Sequence, residues 1–235
     1  FNLDDTELTD NLASSGTVTI GRAADGTGDV DINAVDLSGE SFSFTVVGGS
    51  VAVTGLDSGA NNVTLTARTT TITDGDSSTT TDVIGGIVTL SAVTGIGASG
   101  ENSSIDVDAT EISATNSTSG GIFLNAVGSG GVDISSAQAV TAGDIEIIGS
   151  SEQVTLTDLD SFGSDITISL TSRDIVATDV VAGAAGNIVL TTTTTPSESA
   201  YLAVAKRDQT SAGGIPQSAI PYWWALQWFL PTSST

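Results

Sequence analysis

The chain has 235 residues, and its 28 acidic and five basic side chains give it a formal net charge of −23 at pH 7. Such a charge repels nucleic-acid phosphates and anionic membrane surfaces, so neither is expected as a partner. The chain contains no Cys, Met or His, which excludes disulfides, Cys-ligated zinc and thiol catalysis.

Short units of the form apolar, any residue, apolar recur along most of the chain. In order they are VTI at 18–20, VDI at 30–32, FSF at 42–44, VAV at 51–53, VTL at 63–65, VTL at 88–90, IDV at 105–107, IFL at 122–124, VDI at 132–134, IEI at 145–147, VTL at 154–156, ITI at 166–168 and IVL at 188–190. Side chains alternate between the two faces of a strand, so each unit directs two apolar groups inward and one mostly polar group outward. Gly and β-branched residues dominate before position 196, and no stretch there has the apolar period of a helix.

These units repeat with a period of about 21 to 22 residues. In the N-terminal part this spacing relates Val30, Val51 and Ile72, and it also relates Phe42 and Val63. Further along, one series consists of Ile122, Ile145, Ile166 and Ile188, and another consists of Val132, Val154 and Ile175. A shared period in separate strand series predicts a parallel β-helix, a solenoid of roughly nine coils in which equivalent strands stack. Between residues 73 and 121 the spacing loosens, and DGDSSTTTD at 74–82 is predicted to be a loop extruded from one coil. The alternative is an antiparallel β-sandwich, which also has short strands and frequent turns but has no reason to repeat at this interval.

Two acidic, glycine-containing runs are candidates for a metal site. DGTGDVD at 25–31 and DGD at 74–76 have the oxygen-rich composition of calcium-binding turns, and the candidate ligands are Asp25, Asp29, Asp31, Asp74 and Asp76. Neither run matches the calcium-binding nonapeptide repeat or an EF-hand, and Asp and Gly also form tight turns without any ion. Ca²⁺ is therefore the one cofactor that the sequence suggests.

The sequence predicts no catalytic residue and no enzyme activity. Polysaccharide-cleaving sites need clustered carboxylates, usually beside Arg, Lys or His. Alternating carboxylates such as Asp106 and Asp108 are more typical of a solvated outer face, and only three arginines are scattered through the repeat region.

A change of composition near Thr195 predicts a boundary between a solenoid domain at 1–195 and a C-terminal segment at 196–235. All four prolines and all three tryptophans lie in that segment. It either caps the open end of the solenoid or contacts another subunit or a receptor, with the aromatic anchors Tyr222, Trp223, Trp224, Trp228 and Phe229. No apolar run reaches the roughly 18 residues of a membrane-spanning helix.

The units GGIFL at 120–124, GDIEI at 143–147 and GNIVL at 186–190 resemble the shaft repeats of filamentous-haemagglutinin-like exoproteins and related large bacterial adhesins. The resemblance covers roughly residues 16 to 190. It implies a right-handed parallel β-helix, export by a two-partner or autotransporter route, and a role in adhesion or biofilm formation. The secretion domain of that family has no counterpart in the sequence, so the resemblance is to the shaft.

Together these features predict a secreted or cell-surface protein, because a thiol-free chain poor in Lys and rich in Thr, Ser, Gly and Asp is common among bacterial exoproteins. The chain opens with Phe1, which we interpret as the start of a processed piece. The expected function is that of a non-enzymatic structural or adhesive module of an extracellular surface protein or fibre. One alternative is a self-assembling filament subunit whose C-terminal segment contacts a neighbour, and another is a carbohydrate-binding or carbohydrate-active β-helix protein. The expected partners are further subunits of the same protein, or a host or cell-surface receptor or glycan.

Overall fold

The computed structural model describes residues 2–3, 15–21, 26–151, 153–171, 174–183 and 185–192. Within these ranges the secondary structure is entirely β, with 19 strands. They are β1 (Asn2–Leu3), β2 (Thr17–Gly21), β3 (Val30–Ile32), β4 (Val35–Asp36), β5 (Ser43–Gly48), β6 (Val51–Val53), β7 (Leu56–Asp57), β8 (Val63–Ala67), β9 (Thr71–Asp74), β10 (Val83–Ala92), β11 (Gly95–Ile96), β12 (Ile105–Asn116), β13 (Ile122–Ala126), β14 (Val132–Ala139), β15 (Ile145–Gly149), β16 (Gln153–Asp160), β17 (Ile166–Leu170), β18 (Asp174–Val181) and β19 (Ile188–Thr192).

Pairing between the strands is parallel throughout the described residues. Toward the N-terminus β1 pairs with β3, and strands β2 to β7 each pair with the third one further along, as β2 does with β5 and β3 with β6. After β12 each strand pairs with the second strand further along, as β14 does with β16 and β15 with β17. Parallel neighbours separated by intervening strands are what a solenoid requires, whereas the sandwich alternative would pair consecutive strands as antiparallel hairpins. The solenoid prediction is confirmed.

The described residues form about eight coils, compared with the nine predicted. The difference arises because several coils are longer than the repeat. Leu56 pairs with Val83, 27 residues further on, and Val83 pairs with Val107, 24 residues further on. Between Leu56 and Val83 the added residues form a loop at 75–82, which is the extrusion that the sequence predicts.

The predicted stacks are confirmed with one exception. The isoleucines at 122, 145, 166 and 188 pair in order, as do Val132 with Val154 and Val154 with Ile175, and Val30 with Val51 and Val51 with Ile72. The pairing of Phe42 with Val63 is wrong, because Val63 pairs with Phe44. Both phenylalanines are buried, so the apolar pattern alone does not distinguish the two registers.

One apolar core runs along the solenoid axis. In strands such as β8 and β17, buried residues alternate with partly exposed ones, since every second side chain points to the interior. In the last described strand, β19, Ile188 and Leu190 pack against the core but are only partly buried. Among the described residues there is no helix long and apolar enough to cross a membrane.

Glycines allow close approach of successive coils at the turn before β15. A Cβ atom built on Gly143 would lie 1.7 Å from the carbonyl oxygen of Gly120 in the preceding coil. At the same turn, aspartate side chains are hydrogen-bonded to the backbone of the following coil. Asp144 Oδ1 accepts the N–H of Asp165, and Asp165 Oδ1 accepts the N–H of Asn187. The turns therefore stack in register along with the strands.

Candidate metal centre

A cluster of carboxylates lies where the loop at 75–82 leaves and rejoins the solenoid. Asp74, the last residue of β9, begins the loop, and its Oδ1 accepts the N–H groups of Asp76 and Ser77, each at 2.9 Å. Asp76 Oδ1 in turn accepts the N–H of Ser78 at 3.1 Å. Short Asp side chains thus fold the loop back on itself, as they commonly do in tight turns. The second oxygen of Asp74, Oδ2, is buried and has no hydrogen-bond partner.

Asp82 ends the loop and stacks on Asp106 of the next coil, because the residues that follow them, Val83 and Val107, are paired. The N–H of Asp82 donates to the carbonyl oxygen of Asp106, and the N–H of Asp106 donates to Asp82 Oδ2, both at 2.9 Å. One coil further, Asn125 Nδ2 donates to Asp106 Oδ1. Asp82 and Asp106 are fully buried, so a polar column interrupts the apolar interior at this point.

The loop and the column meet in a compact acidic group. One carboxylate oxygen from each of Asp74, Asp76 and Asp82 lies within 4.8 Å of the others. Asp82 Oδ1 and Asp106 Oδ2, like Asp74 Oδ2, are buried without a hydrogen-bond partner. An ionised carboxylate only accepts hydrogen bonds, so a proton or a cation would stabilise these buried oxygens.

Burial sets the protonation of the two inner carboxyl groups. Loss of solvation is the largest influence, and it raises the pKa of Asp82 to about 8. The hydrogen bond from Asp106 N–H opposes that rise, while the negative charges of Asp74, Asp106 and Asp76 add to it. Burial likewise raises the pKa of Asp106 to about 6, against the opposing effect of Asn125, with contributions from Asp74, Glu101 and Asp76. At neutral pH the cluster therefore holds a proton unless a cation replaces it.

The structure separates the predicted metal ligands into two groups. Asp74 and Asp76 lie together and are joined by Asp82. Asp29 and Asp31 are exposed, and Asp31 lies in β3, two coils before β9. Asp25 lies outside the described residues, as do the predicted interaction residues Tyr222, Trp223, Trp224, Trp228 and Phe229 and the predicted domain boundary.

Sequence reasoning missed Asp82 and misplaced Asp106. The expectation that Asp106 lies on a solvated face is wrong, because its side chain is fully buried. Strict alternation fails at the start of β12, where Ile105, Asp106 and Val107 are all buried. Here Asp106 is hydrogen-bonded to Asp82 of the preceding coil and to Asn125 of the following coil, so polar partners in both neighbouring coils accompany its burial. The one sequence feature that could have indicated a buried Asp82 is its position directly before the apolar pair Val83 and Ile84.

Comparison of the chain with protein-family models, with curated proteins and with solved structures finds no match. The fold and the local chemistry of the chain are thus the basis for assigning a function.

Proposed function

We propose that the chain is a non-enzymatic structural module, a rigid spacer within a secreted or cell-surface protein or fibre. The observation that carries this proposal is the single apolar core that passes through the coils, whose strands pair in parallel from one coil to the next. In such a stack each coil contacts only its neighbours, so the number of coils sets length without requiring a central site. A spacer requires a length that the number of coils can set in this way.

The surface charge supports the same function. A net charge of −23 and outward Thr, Ser, Asp and Glu side chains keep the solenoid solvated and oppose lateral association. The free edges of the terminal coils remain the places where strands can add. Contacts with other modules are therefore expected at the ends of the solenoid more than along its sides.

The resemblance to filamentous-haemagglutinin-like shafts supports an extracellular role. Its three motifs, at 120–124, 143–147 and 186–190, contain the first three residues of β13, β15 and β19, which belong to one column of stacked strands. The motifs therefore lie at equivalent positions of three coils in that column, as shaft repeats do. Export and a part in adhesion complete the proposal.

Removing one coil tests the spacer function. Deletion of residues 145–165 places Ile166 over Ile122 and Ile175 over Val132, because the deleted segment has the length of one repeat. We expect a folded protein that is shorter by about 4.8 Å in small-angle scattering. Deletion of residues 145–154, about half a coil, is the matched control and should disrupt the stack, because apolar residues then face outward.

Two results would contradict the spacer proposal. If the deletion of 145–165 unfolds the chain as completely as the half-coil deletion, the coils are not interchangeable spacers. If the intact chain releases products from polysaccharides in a turnover assay, the protein is a carbohydrate-active enzyme. Saturable binding on a glycan array without turnover would instead favour the carbohydrate-binding alternative.

A filament subunit is the second candidate, and the partial burial of the apolar residues of β19 favours it. Ile188 and Leu190 are less covered than equivalent residues of inner coils, so within the described residues this end offers apolar surface. Deletion of residues 196–235 separates the two functions in sedimentation velocity. A spacer stays folded and monomeric with or without the segment, whereas a filament subunit assembles only when the segment is present.

A further inference from the structure

The loop between β9 and β10 brings together oxygen atoms that its folding does not use. Asp74 and Asp76 each use Oδ1 to fold the loop, and Asp82 uses Oδ2 to accept the N–H of Asp106. Asp74 Oδ2 and Asp82 Oδ1 are left buried and without partners. Since Asp82 is fully buried, its free oxygen cannot be satisfied by bulk water.

We propose that Asp74, Asp76 and Asp82 bind one Ca²⁺ ion, with Asp106 adding negative charge from the next coil. The three side chains already place one oxygen each within 4.8 Å of the others, a spacing that small side-chain movements can close around an ion. The partnerless oxygens of Asp74 and Asp82 would then serve as ligands of the ion.

The donor chemistry favours Ca²⁺ over other cations. The cluster offers carboxylate oxygens only, and the chain has no His or Cys to select a softer metal. Ca²⁺ accepts six to eight oxygens in irregular arrangements, so loop carbonyls and water can fill the remaining positions. Mg²⁺ demands a near-octahedral set and gives up its water reluctantly, which fits a partly buried irregular cluster poorly.

Binding would connect the two ends of the loop. Asp74 ends β9 and Asp82 precedes β10, so one ion bridges the point where the chain leaves a coil and the point where it returns. Asp82 is also hydrogen-bonded to Asp106, which links the ion to the following coil. Calcium would thus join the loop to successive coils at the point where the loop lengthens the repeat to 27 residues, from Leu56 to Val83.

Calorimetric titration of the metal-stripped full chain with CaCl₂ in 0.15 M NaCl tests the proposal, the salt screening diffuse binding to the acidic surface. We expect saturation at one ion per chain and an increase of the melting temperature. Asp82→Asn and the exposed loop variant Asp76→Asn should each weaken binding at least about 10-fold. Asp31→Asn, which removes the same charge from an exposed position of β3, should bind as the unaltered chain does.

Far-UV circular dichroism of each variant separates lost binding from lost structure, and Asp76→Asn alters an exposed side chain whose loss leaves the core intact. Unchanged affinity in Asp76→Asn and Asp82→Asn would overturn the site. A response that does not saturate, or that Asp31→Asn lowers equally, would show that the acidic surface attracts calcium diffusely. Equal affinity for Mg²⁺ would refute the preference for Ca²⁺.

Discussion

Replacing Asp82 by Asn should stabilise the metal-free protein, and the gain should increase with pH. The buried carboxyl of Asp82 has its pKa raised from 3.8 to about 8. Between these values the folded chain holds a proton that the unfolded chain has released. Stability from this group is therefore fully present below pH 3.8 and is lost as the pH rises toward 8.

The expected size follows from the shift. One pKa unit corresponds to about 1.4 kcal/mol, so Asp82 should lower the free energy of unfolding by on the order of 4 kcal/mol between pH 4 and pH 7. Asp106 acts in the same direction up to about pH 6, because burial raises its pKa as well. An Asn at position 82 has no proton to release. Its Oδ1 can accept the N–H of Asp106, and its amide can donate toward Asp74.

Urea denaturation in EDTA at pH 4.5, 6 and 7.5 measures the effect. Asp82→Asn should match the unaltered chain at pH 4.5 and exceed its stability by several kcal/mol at pH 7.5. Asp31→Asn controls for the general relief of negative charge and should show a much smaller, nearly constant difference. A difference between Asp82→Asn and the unaltered chain that does not grow with pH would refute the raised pKa.

Two further substitutions test the stacking, each beside a matched control and read out by urea denaturation. Gly143→Ala should destabilise the chain by about 1–3 kcal/mol, because its Cβ would lie 1.7 Å from the Gly120 carbonyl oxygen. In the control variant Gly130→Ala the Cβ meets no atom within 4 Å, so this change should be neutral or slightly stabilising. Equal effects would exclude close coil approach as the reason for Gly143. Leu156→Ala should lower the free energy of unfolding by about 2–5 kcal/mol, because the Leu156 side chain is fully buried. The control Thr155→Ala alters an outward side chain and should change the free energy of unfolding by less than about 0.5 kcal/mol. Similar losses in the two variants would argue against this register.

The sequence is sufficient to predict the stacks wherever turns have constant length. From Ile122 to Ile188 the connections hardly vary, so residues one period apart occupy the same place in successive coils. Between positions 73 and 121 inserted residues change the coil length, and the period no longer identifies the partner. The error at Phe42 has a different cause, since both aromatics of the FSF unit are buried and the apolar pattern does not show which of them pairs with Val63.

The candidate site was only half predictable. Asp74 and Asp76 stand in a DGD turn, a local pattern that a single sequence displays. The burial of Asp82 and Asp106 depends on which coils cover them, and that depends on the length of the loop and on the pairing of β12 with two neighbours. Non-local stacking of this kind leaves no trace in the alternation of apolar and polar residues along one strand.

The position of the carboxylates relates the two proposals to each other. In a solenoid each coil is stabilised mainly by its nearest neighbours, so the weakest interface limits the strength of the whole stack. The interface that contains Asp82 and Asp106 combines the end of the loop at 75–82 with two buried acids, and it should open before interfaces such as that of β15 with β17, whose interior residues are apolar. Bound calcium would strengthen this interface selectively. A spacer built in this way would stiffen when calcium is present and yield first at one defined coil when calcium is withdrawn.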